Sequence, residues 1–102
     1  MFVNINNKKY ELHDCINFYD RFTGFMFKKN INNCLRFHKC NSIHTFFMLE
    51  SIDVVMTDID NNVLYIFKNL SPWKIILPKK GVYNIYEFPS GSVSNIKKIV
   101  IE

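Results

Sequence analysis

Apolar and polar positions along this chain fall into two regimes. Residues 1–13 have the pattern of one or two short strands, with a turn at Asn6-Asn7. The period then changes: Cys15, Phe18, Tyr19, Phe22, Phe25 and Met26 recur at helical spacing. Asp14 is placed to cap that helix by accepting from first-turn amides, and Gly24 to end it in the left-handed region. The spacing therefore predicts a helix over about 14–24. From Leu35 onward the segments are short and rich in β-branched and aromatic residues. Leu35 and Phe37 alternate with Arg36 and His38, and "IDVVMTD" and "NVLYIFK" flank a hairpin signal at Ile59-Asp60-Asn61. "PWKIIL", "VYNIYEF" and "KKIVIE" complete the strands, and "PSGS" marks a break that can carry one helical turn near 90–95.

About six strands and one clear helix predict a mainly β, α+β fold: a curled or barrel-like sheet in a single domain spanning residues 1–102. Antiparallel pairing should dominate, because few segments could serve as parallel crossovers. Composition supports a packed chain. Hydrophobic residues are 48% and aromatics 16%, with ten Phe and five Tyr, which excludes disorder and gives the core large, flat side chains.

Charge narrows the partners only a little. The net charge is +4, carried mostly by the lysine pairs Lys8-Lys9, Lys28-Lys29, Lys79-Lys80 and Lys97-Lys98. Scattered lysines read as solvated surface, so nucleic-acid binding is disfavoured. No apolar stretch approaches the length of a membrane span, and the start of the chain lacks a signal-peptide pattern, so the expectation is a cytoplasmic protein with no membrane partner. Cys15, Cys34 and Cys40, an odd number, should then be reduced thiols.

Candidate chemistry centres on residues 38–55. Cys34, His38, Cys40 and His44 are ligand types that zinc accepts. On one extended strand, however, Cys34 and Cys40 would lie ~20 Å apart, and no paired CxxC or HExxH spacing is present. Neither a metal nor another cofactor is expected. Cys40 with His44 as its base would need a turn between them and an electropositive setting, and Lys39 is the only nearby charge in sequence. "DIDNN" imitates the start of a calcium loop, but Val63 and Asn69 stand where Gly and Glu are required, so it is a turn. Asp53 and Glu87 sit within apolar strands. Alternation could point either at water; facing inward, each would need a partner such as Thr45, His44 or Arg21. Trp73, after Pro72, could floor a ligand cleft or close one end of the core.

Taken in order, these motifs resemble the family called domain of unknown function 192. Arg21-Phe-Thr-Gly24-Phe-Met26-Phe-Lys28 is similar to the family's Arg-x-x-Gly-Leu-Met-x-Arg. Cys40-Asn-Ser-Ile43-His44-Thr45-Phe-Phe-Met48 resembles its Cys-x-x-Ile-His-Thr-x-x-Met variant. Ile52-Asp53-Val54, Pro72-Trp73 and Tyr86-Glu87-Phe88-Pro89-Ser90-Gly91 follow at matching distances. Phe25 and Lys28 depart from the pattern, as does Leu49-Glu50-Ser51, where many members carry a basic residue, an apolar one and Pro. The resemblance implies a small, β-rich, bacterial-type domain and brings no established activity, cofactor or substrate. With the residues themselves, it yields a site hypothesis of Arg21, His44, Thr45, Asp53, Trp73 and Glu87 in a non-enzymatic module for a small ligand or protein partner. The alternatives are an acid–base enzyme using His44 with Asp53 or Glu87, and a weak nucleic-acid binder through the lysine pairs.

Overall fold

The structure is a computed structural model that describes residues 1–102. Eight strands and one helix follow in chain order: β1 (Phe2–Ile5), β2 (Lys8–Asp14), α1 (Phe18–Thr23), β3 (Cys34–His38), β4 (Ile43–His44), β5 (Ile52–Thr57), β6 (Val63–Leu70), β7 (Ile75–Ile76) and β8 (Asn84–Pro89). Six of them form one curled sheet in the order β1-β2-β3-β8-β5-β6, and β4 pairs with β7 in a small second sheet. Asn6 and Asn7 both take positive φ, which lets a two-residue turn join β1 to β2. The β5–β6 hairpin is tightened by Asp58, whose carboxylate accepts from the Asp60 and Asn62 amides. "DIDNN" is thus an Asx turn.

Pairing is antiparallel except between β2 and β3, where the helix-bearing segment supplies the crossover. The two edges of the sheet meet through the C-terminal segment. Phe2 and Glu102 exchange backbone hydrogen bonds of 2.9 and 2.7 Å, and Val63 donates to Lys97 while Ile99 donates to Asn61. Both edges thereby gain backbone partners and the sheet becomes barrel-like, which leaves less unpaired edge to recruit another chain.

The helix is shorter than its sequence pattern. It starts at Phe18 behind an Asn17 cap, whose side chain accepts from the Asp20 amide, and not at Asp14. Asp14 remains on β2 because Arg36, its register partner on β3, takes its carboxylate with both Nε and Nη2. A two-pronged guanidinium–carboxylate pair outweighs a helix cap, worth about 1 kcal/mol. The Arg36 guanidinium also holds the Asp14 carboxyl below its ordinary pKa. Of the helical-period residues, Cys15, Phe25 and Met26 are buried, but α1 itself buries nothing and Phe18 is 84% exposed. The expected helical turn near 90–95 is absent: Ser90 and Gly91 form a turn and irregular backbone follows. No helix is long and apolar enough to cross a membrane.

The sheet separates two apolar clusters. On its inner face Val3, Tyr10, Val55, Tyr86 and Phe88 pack together, with Tyr10 edge-on to Phe88 at 5.7 Å. On its outer face Leu35, Phe37, Val54, Met56 and Ile85 are covered by Phe25, Met48 and Ile76. β5 and β8 are therefore covered on both sides, and every residue of β5 is buried. This placement decides what Asp53 and Glu87 can do.

Candidate functional site

Adjacent strands carry Asp53 and Glu87 to opposite faces. Asp53 is register partner of Phe88 and shares the inner face, whereas Glu87 is register partner of Val54 and shares the outer one. Neither points at water. The Asp53 carboxylate accepts from the backbone amides of Asn69 (2.8 Å) and Val93 (2.9 Å), tying the end of β6 and the segment after β8 to the sheet. Both oxygens are occupied, and neither partner is Thr45, His44 or Arg21.

Glu87 is different. It is 2% exposed, and its Oε1 has no hydrogen-bond partner. Burial pushes its carboxyl up to about 8, so at pH 7 it holds its proton. Above it lies a cleft of about 90 Å³ lined by Arg21, Gly24, Phe37, Cys40, His44 and Met48, among others. α1 brings Arg21, β3 brings Phe37, and β4 brings His44. A buried, neutral carboxyl with an unpaired oxygen on the wall of a small cleft is the arrangement from which a binding role can be argued.

Each lining group has a definite state. Arg21 Nη1 donates to the His38 carbonyl at 2.9 Å, which fixes the end of α1 against β3. His44 accepts the Phe46 amide on Nδ1 at 3.2 Å, so its neutral ring carries the proton on Nε2. It makes no hydrogen bond with Asp53 or Glu87. The Cys40 thiol donates to the Ser42 carbonyl, and burial raises its pKa, so it is no activated nucleophile. Gly24 lines the cleft with φ 47° and ψ −123°, and a Cβ there would lie 3.4 Å from Glu87 Oε1 and 3.5 Å from the Phe37 ring. Gly24→Ala should therefore cost about 1–3 kcal/mol in backbone strain and crowding. Urea denaturation checks this; a loss under about 0.5 kcal/mol would show that the backbone relaxes freely.

The remaining expected site residues lie elsewhere. Thr45 is fully buried, with Oγ1 donating to the Ser71 carbonyl and accepting from the Lys74 amide, so it pins the turn that precedes β7. Trp73 neither floors the cleft nor closes the core. It is 60% exposed, at positive φ, and packs on Phe47 (4.7 Å) and Phe46 (5.8 Å). The lysine pairs lie on separate parts of the chain: β2, the α1–β3 loop, the β7–β8 loop and the C-terminal segment. No three metal-ligating side chains converge; Cys34 is in the inner core and His38 Nδ1 pairs with Asn84. Gly24, Phe37 and Met48 were not among the expected site residues, and Cys40 was weighed only as a metal ligand or nucleophile. Gly24, Cys40 and Met48 stand inside the quoted motifs, which is the signal that could have marked them.

A larger groove, of about 640 Å³, lies on the other side of Gly24 between α1 and residues 25–33. Its walls carry ordinary solvated side chains, such as Lys28, Lys29 and Asn30, and no buried unpaired atom. The buried unpaired oxygen belongs to a residue of the smaller cleft.

Known proteins agree with this architecture. The family model for domain of unknown function 192, described as an uncharacterized ACR, matches residues 1–99. The chain is similar to the UPF0127 protein of Thermococcus sibiricus, 40% identical over 82 residues that make up 74% of this chain and 53% of that one. It is also similar to a UPF0127 protein of Pyrococcus abyssi, 39% identical over 89 residues, 81% of this chain and 73% of the relative. Both relatives are archaeal, and the chain spans about half the length of the Thermococcus protein. Among solved structures, a protein of unknown function from Novosphingobium aromaticivorans superposes with a TM-score of 0.77 at 15% identity, over 98% of this chain and 82% of that one. At that identity the likeness concerns the fold.

Proposed function

We propose that this chain, which belongs to the domain of unknown function 192 family, is a non-enzymatic binding module whose small polar site is the cleft over Glu87. One observation carries the reading: a buried carboxyl with an oxygen that has no partner, in a residue that lines a cleft with Arg21 and His44. A buried polar group left unsatisfied costs about 1–3 kcal/mol, a cost that a ligand completing the hydrogen bond offsets. The cleft has room for a group of a few heavy atoms, far below the 300 Å³ or more, roughly, of a cofactor site, so it would grip one functional group of a ligand. The three unpaired cysteines, an odd number, suit a reducing compartment, and we place the module in the cytoplasm on that ground.

The acid–base alternative has one observation in its favour, a carboxyl poised near neutral pH. Against it, His44 is not hydrogen-bonded to Glu87, and the cleft's only thiol is deactivated. The binding reading is tested by ¹H–¹⁵N spectra of the protein with a mixed panel of small acids, amides, amines and alcohols. Shifts confined to Gly24, Cys40, Ser42 and His44 are expected, and these should vanish in Ser42→Trp, which puts a bulky side chain on a lining position. Shifts scattered over the surface, or persisting in that variant, would contradict it.

A further inference from the structure

The polar atoms of the cleft narrow the class of ligand. Arg21 uses one N–H on the His38 carbonyl and has no carboxylate within ion-pair distance, so its other donors are free. His44 has its Nδ1 occupied by the Phe46 amide, which leaves Nε2–H as the ring's donor. Glu87 in its neutral form adds an O–H. One acceptor in the vicinity, the Ser42 carbonyl, is already taken by the Cys40 thiol. Donors thus outnumber free acceptors, of which the Glu87 carboxyl keeps one beside its O–H, and Arg21 is the one full charge while Glu87 stays protonated.

Building on the binding reading above, we propose that the cleft takes the carboxylate of a small apolar acid, held by Arg21, His44 and the Glu87 carboxyl. A carboxylate offers about four lone-pair sites and accepts from a guanidinium, an imidazole N–H and a carboxylic O–H together. An ammonium would bring a like charge beside Arg21 and find few acceptors. Phe22, which also lines the cleft, lies edge-on to His44 at 5.7 Å and Phe46 stacks on His44 at 5.0 Å, which offers aromatic rings to the ligand's apolar body.

The contact from Glu87 exists only while that carboxyl keeps its proton, so affinity should fall in alkali. The charged and titratable groups around Glu87 are Arg21 of α1, His44 of β4 and the thiols of Cys15, Cys34 and Cys40. Burial raises all three thiols, Cys15 to about 12, which keeps them neutral over the range concerned.

The test is a ¹H–¹⁵N titration of the intact chain with phenylacetate, N-acetylphenylalanine, phenylacetamide and phenethylamine. Phenylacetate is expected to shift the Gly24, Cys40, Ser42 and His44 amides, at least about tenfold more tightly than phenylacetamide, and about tenfold more weakly at pH 9 than at pH 7. Arg21→Gln should weaken it by about tenfold while leaving phenylacetamide nearly unchanged. If that variant does not fold, the acid-to-amide ratio and the pH arm, both measured on the unaltered chain, decide alone. Response to phenylacetate identifies a free acid, and response to N-acetylphenylalanine alone identifies a peptide C-terminus; both support the proposal. Amide or amine binding as tightly as the acids overturns the carboxylate assignment and leaves the binding reading standing. Silence from all four probes overturns both.

Discussion

Replacing Glu87 with glutamine should flatten the pH dependence of stability between pH 4.5 and 8. In the folded chain this carboxyl is pushed from 4.5 up to about 8 by burial, whereas in the unfolded chain it titrates normally. Between those values the folded state holds a proton that the unfolded state has released, so raising the pH favours unfolding. The stability linked to Glu87 is fully present below pH 4.5 and is lost as pH rises toward 8, at about 1.4 kcal/mol per unit. By pH 7 the loss is on the order of 3 kcal/mol. Glutamine imitates the neutral acid and escapes it. The stabilities of wild type and Glu87→Gln should be similar near pH 4.5 and diverge steadily above it, with the variant the more stable. Asp14 and Asp58, whose carboxyls are lowered, act below this window and cancel in the comparison. Urea melts at half-unit pH steps measure the divergence, and parallel curves would show that Glu87 is solvated.

Asp53→Ala should be the most damaging change on the other face of the sheet. Removing the carboxylate leaves the Asn69 and Val93 amides without acceptors, one of them deep in the inner core. Each buried N–H left unpaired costs about 1–3 kcal/mol, so a total loss on the order of 3 kcal/mol is expected. Asp53→Asn keeps one acceptor but turns an amide N–H toward a backbone N–H, and should recover only part of that. Because Asp53 lies across the sheet from the cleft, any variant that remains folded should keep the ligand-induced shifts at Gly24 and His44. Denaturation at pH 7 gives the first quantity and the spectra give the second. A loss under about 1 kcal/mol together with lost ligand shifts would reverse the assignment, making Asp53 a site residue and not a staple.

These paired carboxylates show where the sequence was legible. β-branched and aromatic segments broken by Asn and Asp turns identified most of the strands and the β5–β6 hairpin, because strand propensity and turn chemistry are local; the expected strand "KKIVIE" forms only isolated bridges, and β4 was not among those expected. Strand order is not local. Nothing in "SIDVVM" or "YEFPSG" says that β5 and β8 are covered on both faces, so the expectation that Asp53 or Glu87 could face water failed for both. The helix failed for a related reason: Asp14 is a sound cap in isolation, and a partner twenty-two residues away removed it. Of the polar motif residues, Arg21, His44 and Glu87 converge on one cleft, while Thr45 and Asp53 hold turns and strand ends in place. All five stand in the same motifs, and a motif does not distinguish a side chain that pins the backbone from one left free. The unpaired oxygen of Glu87 does make that distinction, and it is visible only in three dimensions.

The most direct test of this account is the titration of the Glu87 side-chain carboxyl carbon, followed by ¹³C NMR on the folded protein. A midpoint near 8 is expected, with the resonance at pH 6 at the position of a neutral acid. A midpoint near 4.5 would mean that Glu87 carries its charge in the fold, and both the binding cleft and the carboxylate assignment built on its proton would fall.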